Sequence, residues 1–295
     1  MPSSDPSSAT TSVATSVAPP SLDAALEVID TVLDTVAAWL LARSGELATT
    51  AKADGTPVTD ADNYVDDQLR AHLAQAFPSH GVLSEERGTV SPTTAWTWVI
   101  DPVDGTSNYA NGLPYWCISV ALLQDGVPVL GVIDAPVLGR RYSALRGRGA
   151  WLRARSTSLD GQRQQPVERA LTVRSPVDWR DPSYGHVPVM LTTGTARRAR
   201  QAGVALNLRV MGSTALDMAL VAEGVAAASI AVEPKVWDIA AGALLVEEAG
   251  GALVTITGEP LLPLVGSVEQ EVRSAVTATG PEAAYVEELG RALLA

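Results

Sequence analysis

The chain has 295 residues, 46% of them hydrophobic, and a formal net charge of −12. That length supports a large core in one domain or two close-packed ones, while the acidic balance and the lack of a Lys/Arg block exclude a basic face for nucleic acid. No run of about 20 apolar residues is present to span a bilayer, and the single Cys117 excludes an internal disulfide, which fits a cytoplasmic protein in a reducing cytosol.

Residues 1–20 are rich in Ser, Thr, Ala and Pro. They lack the basic start and apolar centre of a signal peptide and are expected to form a disordered tail. From Leu22 to about Arg43, apolar residues recur at helical spacing (Leu26, Ile29, Val32, Leu33, Val36, Leu40) and predict a helix. A polar segment with Lys52, Asp54, Gly55 and Pro57 follows. Thr59 or Asp60 then reads as the N-cap of a helix running to about Phe77, before Pro78. Trp96 to Ile100 predicts a short buried strand ending at Asp101, and residues 102–114, with two Gly, two Pro and two Asn, predict a loop. Trp116 to Gln124 and Val127 to Asp134 predict a hairpin turning at Asp125-Gly126. Strands near Tyr142 to Leu145 and Ala150 to Leu152 would extend that sheet, and residues 154–167 read as polar and irregular.

The second half alternates. Strands are expected near Val187–Thr192, Asn207–Val210, Ala227–Val232 and Ala252–Ile256. Helices are expected near Ala196–Ala202, Ser213–Ala222, Trp237–Ala249 and Pro281–Leu294, with Gly250-Gly251 as a stop signal. Meandering strands followed by alternating elements imply a layered α/β fold in two halves, approximately 21–153 and 168–295.

The chemistry lies in acidic residues. The segment Val99-Ile100-Asp101-Pro102-Val103-Asp104-Gly105-Thr106 delivers Asp101 from a buried strand, and Gly105 permits a turn that curls Asp104 back toward it. Two carboxylates forced together repel unless a cation sits between them, and hard oxygen ligands suit Mg²⁺, Mn²⁺ or Ca²⁺. The same residues would also serve an ordinary strand-to-turn exit. Leu83-Ser84-Glu85-Glu86 adds two carboxylates, which could equally form a solvated turn. Asp238 opens an apolar helix, where it is either a macrodipole charge or a buried carboxylate in need of a partner.

Other phosphatase and metal chemistries fit poorly. A cysteine nucleophile of the tyrosine-phosphatase type wants Arg six residues on, where Leu123 stands. None of His72, His80 or His186 lies in an Arg-His-Gly context. Asp101 and Asp104 are spaced i, i+3 rather than the i, i+2 of haloacid-dehalogenase-type enzymes. An EF-hand loop from Asp101 would place Val103 and Gly112 at ligand positions, and no HExxH zinc motif occurs.

Ser84-Glu85-Glu86, Asp101-Pro102-Val103-Asp104-Gly105-Thr106 and Trp237-Asp238-Ile239-Ala240-Ala241-Gly242 resemble the three metal-site motifs of the inositol monophosphatase family. Gly55-Thr56-Pro57-Val58-Thr59-Asp60-Ala61-Asp62, Met211-Gly212-Ser213-Thr214-Ala215-Leu216-Asp217 and Glu247-Glu248-Ala249-Gly250-Gly251 extend the resemblance over most of the chain. The resemblance implies an αβαβα sandwich, a homodimer, and two or three Mg²⁺ ions per site. By it, Glu85, Asp101 and the Val103 carbonyl hold one ion. Asp101, Asp104 and Asp238 hold a second, and a third shares Glu85. Gly105, Thr106, Asp104, Gly212 and Ser213 would face the phosphate or substrate. Asp62, Thr106 and Glu85 would act on the attacking water, with Lys52 as a nearby loop charge.

The substrate is implied to be a small phosphate ester. Relatives that prefer inositol phosphates often carry Glu seven residues before the helix Asp; here that residue is Ala231, and the nearby acid is Glu233. Glu233 would either contact substrate or pair with Lys235 on the surface. Inositol 1-phosphate leads as the expected substrate, with histidinol phosphate as the alternative. Fructose 1,6-bisphosphate and 3′-phosphoadenosine 5′-phosphate follow at lower weight. A non-catalytic regulator of the same fold is the reading from a different class.

Overall fold

The computed structural model describes residues 21–45, 50–51, 57–90, 95–155, 165–199, 204–257, 261–264 and 276–294. The expected tail and Lys52 lie outside the described residues. The elements of the first half are α1 (Leu22–Leu41), β1 (Thr50–Ala51), β2 (Pro57–Val58), α2 (Asp60–Ala76), β3 (Gly81–Ser84), β4 (Gly88–Val90), β5 (Trp96–Asp104), α3 (Thr106–Ala110), β6 (Cys117–Gln124), β7 (Val127–Ala135), β8 (Arg140–Leu145), β9 (Ala150–Ala154) and β10 (Val167–Ala170). The second half contributes β11 (Pro188–Leu191), α4 (Thr193–Arg198), β12 (Asn207–Arg209), α5 (Thr214–Ala222), β13 (Ala228–Val232), α6 (Val236–Glu248), β14 (Ala252–Thr255), β15 (Val276–Gly280) and α7 (Ala283–Leu294).

Strands β10-β9-β8-β7-β6-β5-β3-β4 form one sheet and β12-β11-β13-β15-β14 a second. Side chains alternate faces along a strand, and here the alternation builds three cores. Trp98 and Ile100 of β5 and Ile118, Val120 and Leu122 of β6 pack with α1 and α2. Val99, Cys117, Ala121 and Leu123 face the other way, onto α5 and α6. Beyond the second sheet, Val189, Leu191 and Ile230 pack with Leu289 and Leu293 of α7. The order is therefore helix, sheet, helix, sheet, helix, the expected αβαβα sandwich. Helix α6 lies so close to β7 that a Cβ on Gly131 would stand 2.9 Å from the Ala241 carbonyl oxygen.

Two differences from the expected elements matter. The strand expected to end at Asp101 continues to Asp104, and the expected loop contains α3. Pro102 has no N–H to give a ladder, and the register shifts there: Asp101 pairs with Ser119 and Asp104 with Cys117. Three steps on β5 oppose two on β6. The resulting bulge turns Val103 to the α1/α2 side, leaving Asp104 on the same face as Asp101. The strands β1, β2, β3, β4, β10 and β15 were not expected; all are short, and periodicity is weak over two to five residues.

An ion network also holds the first layer. Arg141 is 5% exposed and donates to Asp134, Asp30 and Asp34, each at 2.9 Å. It ties α1 to β7 and β8. The guanidinium fork suits this convergence, and the three carboxylates raise its pKa against the opposing effect of burial.

Candidate active site

The acidic residues come from α2, the end of β3, β5 and α6, and each is positioned by local backbone chemistry. Thr59 caps α2, and Asp62 closes the capping box: its Oδ2 accepts from the Thr59 N–H and hydroxyl, both at 2.7 Å. Its Oδ1 accepts from the Thr106 hydroxyl at 3.2 Å, across 44 residues of sequence. Asp101 Oδ1 accepts the Val103 N–H at 3.1 Å. Asp104 Oδ2 accepts the Ser213 hydroxyl at 2.7 Å and the Ala215 N–H at 2.6 Å, so it sits on the N-terminus of α5. Asp238 is the third residue of α6, and its Oδ2 accepts the Lys235 N–H at 2.8 Å. Each aspartate thus has one oxygen tied down by a hydrogen bond from local or facing backbone.

Glu85 follows β3, with its N–H on the Ile100 carbonyl at 3.2 Å. Arg70 supports this turn by donating to Ser84 Oγ at 2.8 Å and to Asp66 at 2.9 Å. Gly105 caps α3 at φ 97°, and a Cβ there would meet the Tyr115 carbonyl oxygen at 3.1 Å and that of Gly212 at 3.2 Å. The turn therefore requires glycine on both steric and conformational grounds. The Thr106 hydroxyl also reaches the Val103 carbonyl at 3.0 Å.

Electrostatics single out Asp101 as the centre. Burial raises its pKa well above the ordinary value, and the charges of Glu85, Asp104, Asp238 and Asp62 raise it further. Burial pushes Asp104 up to about 6, with the Ser213 and backbone bonds opposing. Asp238 is pushed up to about 8 by burial and then by Asp104, with the Lys235 N–H opposing. Asp62 is raised by burial against its Thr59 bonds. Buried acids that raise one another's pKa form a site that a cation would stabilise. Among the described residues no three carboxylate, thiol or imidazole groups close into a finished metal cage.

A cleft of about 280 Å³ opens beside these groups, lined in part by Gly212, Ser213, Thr214, Asp217, Glu233 and Asp238. Glu233 adopts φ 52°, in the left-handed region, and its carboxylate lies 3.4 Å from Arg198 of α4. Arg198 thus pairs with Glu233, the acid that the sequence also sets close to Lys235. Charge coupling links Asp101 to Glu85, Asp104, Asp238 and Asp62, and hydrogen bonds join Asp62 to Thr106, next to Gly105, and Asp104 to Ser213; Gly212, Ser213, Glu233 and Asp238 line the cleft, and the Val103 carbonyl accepts from Thr106. Sequence reasoning missed the setting of Cys117, buried 3.5 Å from Ser213 Oγ and 3.8 Å from Asp104. It also missed Tyr115, whose hydroxyl donates to the buried Asp217 at 2.7 Å. The hydrophobic run after residue 115 gave no sign of either.

Known proteins resemble the chain over most of its length. The sequence profile of the Inositol monophosphatase family matches residues 15–286. The histidinol-phosphatase of Mycobacterium tuberculosis is 40% identical over 218 residues, covering 72% of this chain and 79% of that protein. The inositol-1-monophosphatase of Mesorhizobium japonicum is 36% identical over 213 residues, covering 72% and 77%. The crystal structure of the extragenic suppressor protein suhB from Bartonella henselae superposes with a TM-score of 0.72 at 26% identity, covering 91% of this chain and 98% of that one. The chain belongs to the inositol monophosphatase family of phosphomonoester hydrolases.

Proposed function

We propose that this phosphatase is Mg²⁺-dependent, works as a homodimer, and acts on a small alcohol phosphate, with histidinol phosphate ahead of inositol 1-phosphate. The observation that carries the metal reading is the environment of Asp101: a buried carboxylate whose named electrostatic neighbours are all acids. The donor set fits hard divalent ions, since Glu85, Asp101, Asp104, Asp238 and the Val103 carbonyl offer oxygen alone. These residues would hold the ions. Bound Mg²⁺ would neutralise the charge of the ester and acidify the attacking water.

The chain's own part is orientation and proton transfer. The single Thr106 hydroxyl proton has two acceptors in reach, the Val103 carbonyl and Asp62 Oδ1; turned to Asp62, it leaves the hydroxyl oxygen free to accept from water. Burial raises the basicity of Asp62, so it can take the proton passed through Thr106. Gly105 and Thr106 begin α3, where first-turn N–H groups lack intrahelical acceptors and suit a phosphate oxygen. Glu85 would share in orienting the water.

The order of substrates follows from the cleft. Ala231 is buried in β13 and offers no group to a polyol hydroxyl, while Glu233 gives the cleft an exposed carboxylate; the other acid there, Asp217, is buried and bonded to Tyr115. An exposed carboxylate favours a substrate that carries an amino group beside its phosphate. This reverses the order expected from sequence, and the Mycobacterium tuberculosis relative supports it. Phosphate release from the two esters tests the choice: kcat/KM is expected to be higher for histidinol phosphate. Glu233→Gln should raise KM for histidinol phosphate about two- to fivefold, the range of an exposed ion pair, and leave inositol 1-phosphate unchanged. Equal effects on both would remove Glu233 from substrate recognition.

A further inference from the structure

Three segments meet at the Gly105 turn: α3, the approach to β6, and residues 211–213 ahead of α5. One side chain joins the two flanking segments. The Asn108 side-chain nitrogen lies 2.6 Å from the Tyr115 carbonyl oxygen and 2.7 Å from that of Met211. Both neighbours are acceptors, and a carboxamide nitrogen has two protons, so this orientation alone satisfies the contacts. Gly212 completes the junction: it sits at φ 88°, and a Cβ there would stand 3.0 Å from the Asn108 nitrogen.

Each bond leads directly to Asp104. Met211 is two residues before Ser213, whose hydroxyl donates to Asp104 Oδ2. Tyr115 is two residues before Cys117, the β6 partner of Asp104. The carbonyls of Tyr115 and Gly212, with Trp116 Cβ, are also the atoms that a Cβ on Gly105 would meet. A second strut runs parallel, from the Tyr115 hydroxyl to Asp217 on α5 at 2.7 Å.

We propose that Asn108 is a positioning residue: it clamps the first-half turn carrying Asp104, Gly105 and Thr106 against the second-half segment carrying Ser213, and so sets the spacing of groups that hold metal and phosphate. The inference rests on the phosphatase reading but makes a separate demand. Asn108 touches none of the reacting groups, so substrate binding alone should be little affected. Small errors in placement fall on turnover instead, since a displacement of about 1 Å can cost about 100-fold.

The test uses full-length Asn108→Ala and Asn108→Asp. Alanine removes both donors. Aspartate keeps the shape but sets a carboxylate oxygen against two carbonyl oxygens. The readouts are kcat, KM, the Mg²⁺ concentration for half-activation, and Tm with and without Mg²⁺. The expected result for Asn108→Ala is a metal-free Tm close to wild type, kcat lower by about tenfold or more, KM within about twofold, a raised half-activating Mg²⁺ concentration and a smaller Mg²⁺-induced rise in Tm. Asn108→Asp should show the same pattern more strongly. Two results would overturn the proposal: kcat and Mg²⁺ requirement both within about twofold of wild type, or a loss of kcat that tracks a fall in metal-free Tm with no change in Mg²⁺ requirement. Should both variants fail to fold, Tyr115→Phe, which removes the parallel strut, is judged by the same criteria. Wild-type phosphate release in the same assay separates failure of this inference from failure of the phosphatase reading.

Discussion

Asp104→Asn is expected to lower kcat by at least about 100-fold while the fold survives, and Glu86→Gln to change it by less than about threefold. The asymmetry follows from position. Asp104 is buried on the inner face of β5 and receives the Ser213 hydroxyl and the Ala215 N–H on one oxygen. Asparagine can keep those two bonds through its carbonyl oxygen. It then turns an amide nitrogen toward Asp101 in place of an anionic oxygen, which loses a charged ligand and adds a donor where a cation is to bind. Burial raises the pKa of Asp104, so its charge is costly in the bare protein and valuable when a cation is present. Glu86 lies one residue beyond Glu85 in the turn after β3, and of the acids Glu85 acts most strongly on Asp101. Steady-state phosphate release from both variants decides the matter, and equal mild effects would break the assignment of the acidic cluster.

A second large effect is expected at Asp238. Two observations bear on its role. It closes the α6 cap through the Lys235 N–H, and its charge is coupled to Asp104 and Asp101. Asn keeps an acceptor for the cap but loses the charge. The folded-state pKa of Asp238 is raised to about 8 from 3.8. Between those values the native state holds a proton that the unfolded chain has released, so its contribution to metal-free stability falls as pH rises through the window. Asp238→Asn removes that penalty, and the metal-free variant should melt at or above wild type near pH 8. The Mg²⁺-induced rise in Tm should shrink, because stabilisation follows affinity for the native state. Turnover should fall by at least about 100-fold. An unchanged Mg²⁺ shift with near-normal turnover would exclude Asp238 as a ligand.

Much of this architecture was legible before the structure. Helical spacing in α1 and the Asp-Gly hairpin between β6 and β7 rest on local physics, and both stand where expected. The acidic motifs were legible because each is a local signal: a strand exit, a turn, a helix start. The bulge at Pro102 was not, since it depends on what β6 offers opposite β5. Nor was Thr106 bonding Asp62 readable from spacing, because the two meet through the packing of α2 on β5. The Arg141 network joins α1 to residues more than 100 positions away, and no periodicity announces it. The lining of the cleft was hidden for a similar reason. Glu233 could be placed in the chain, but its presence in the cleft beside Asp217 depends on how β13 and α5 come together.

The central claim is that a cluster of buried carboxylates works through bound divalent ions, and phosphate release with controlled metal tests it most directly. Protein stripped with excess chelator is assayed on histidinol phosphate and inositol 1-phosphate, then titrated with Mg²⁺. Release should fall to about one hundredth or less of the Mg²⁺-loaded rate and return as free Mg²⁺ rises. Full activity on either ester in excess chelator would contradict the account.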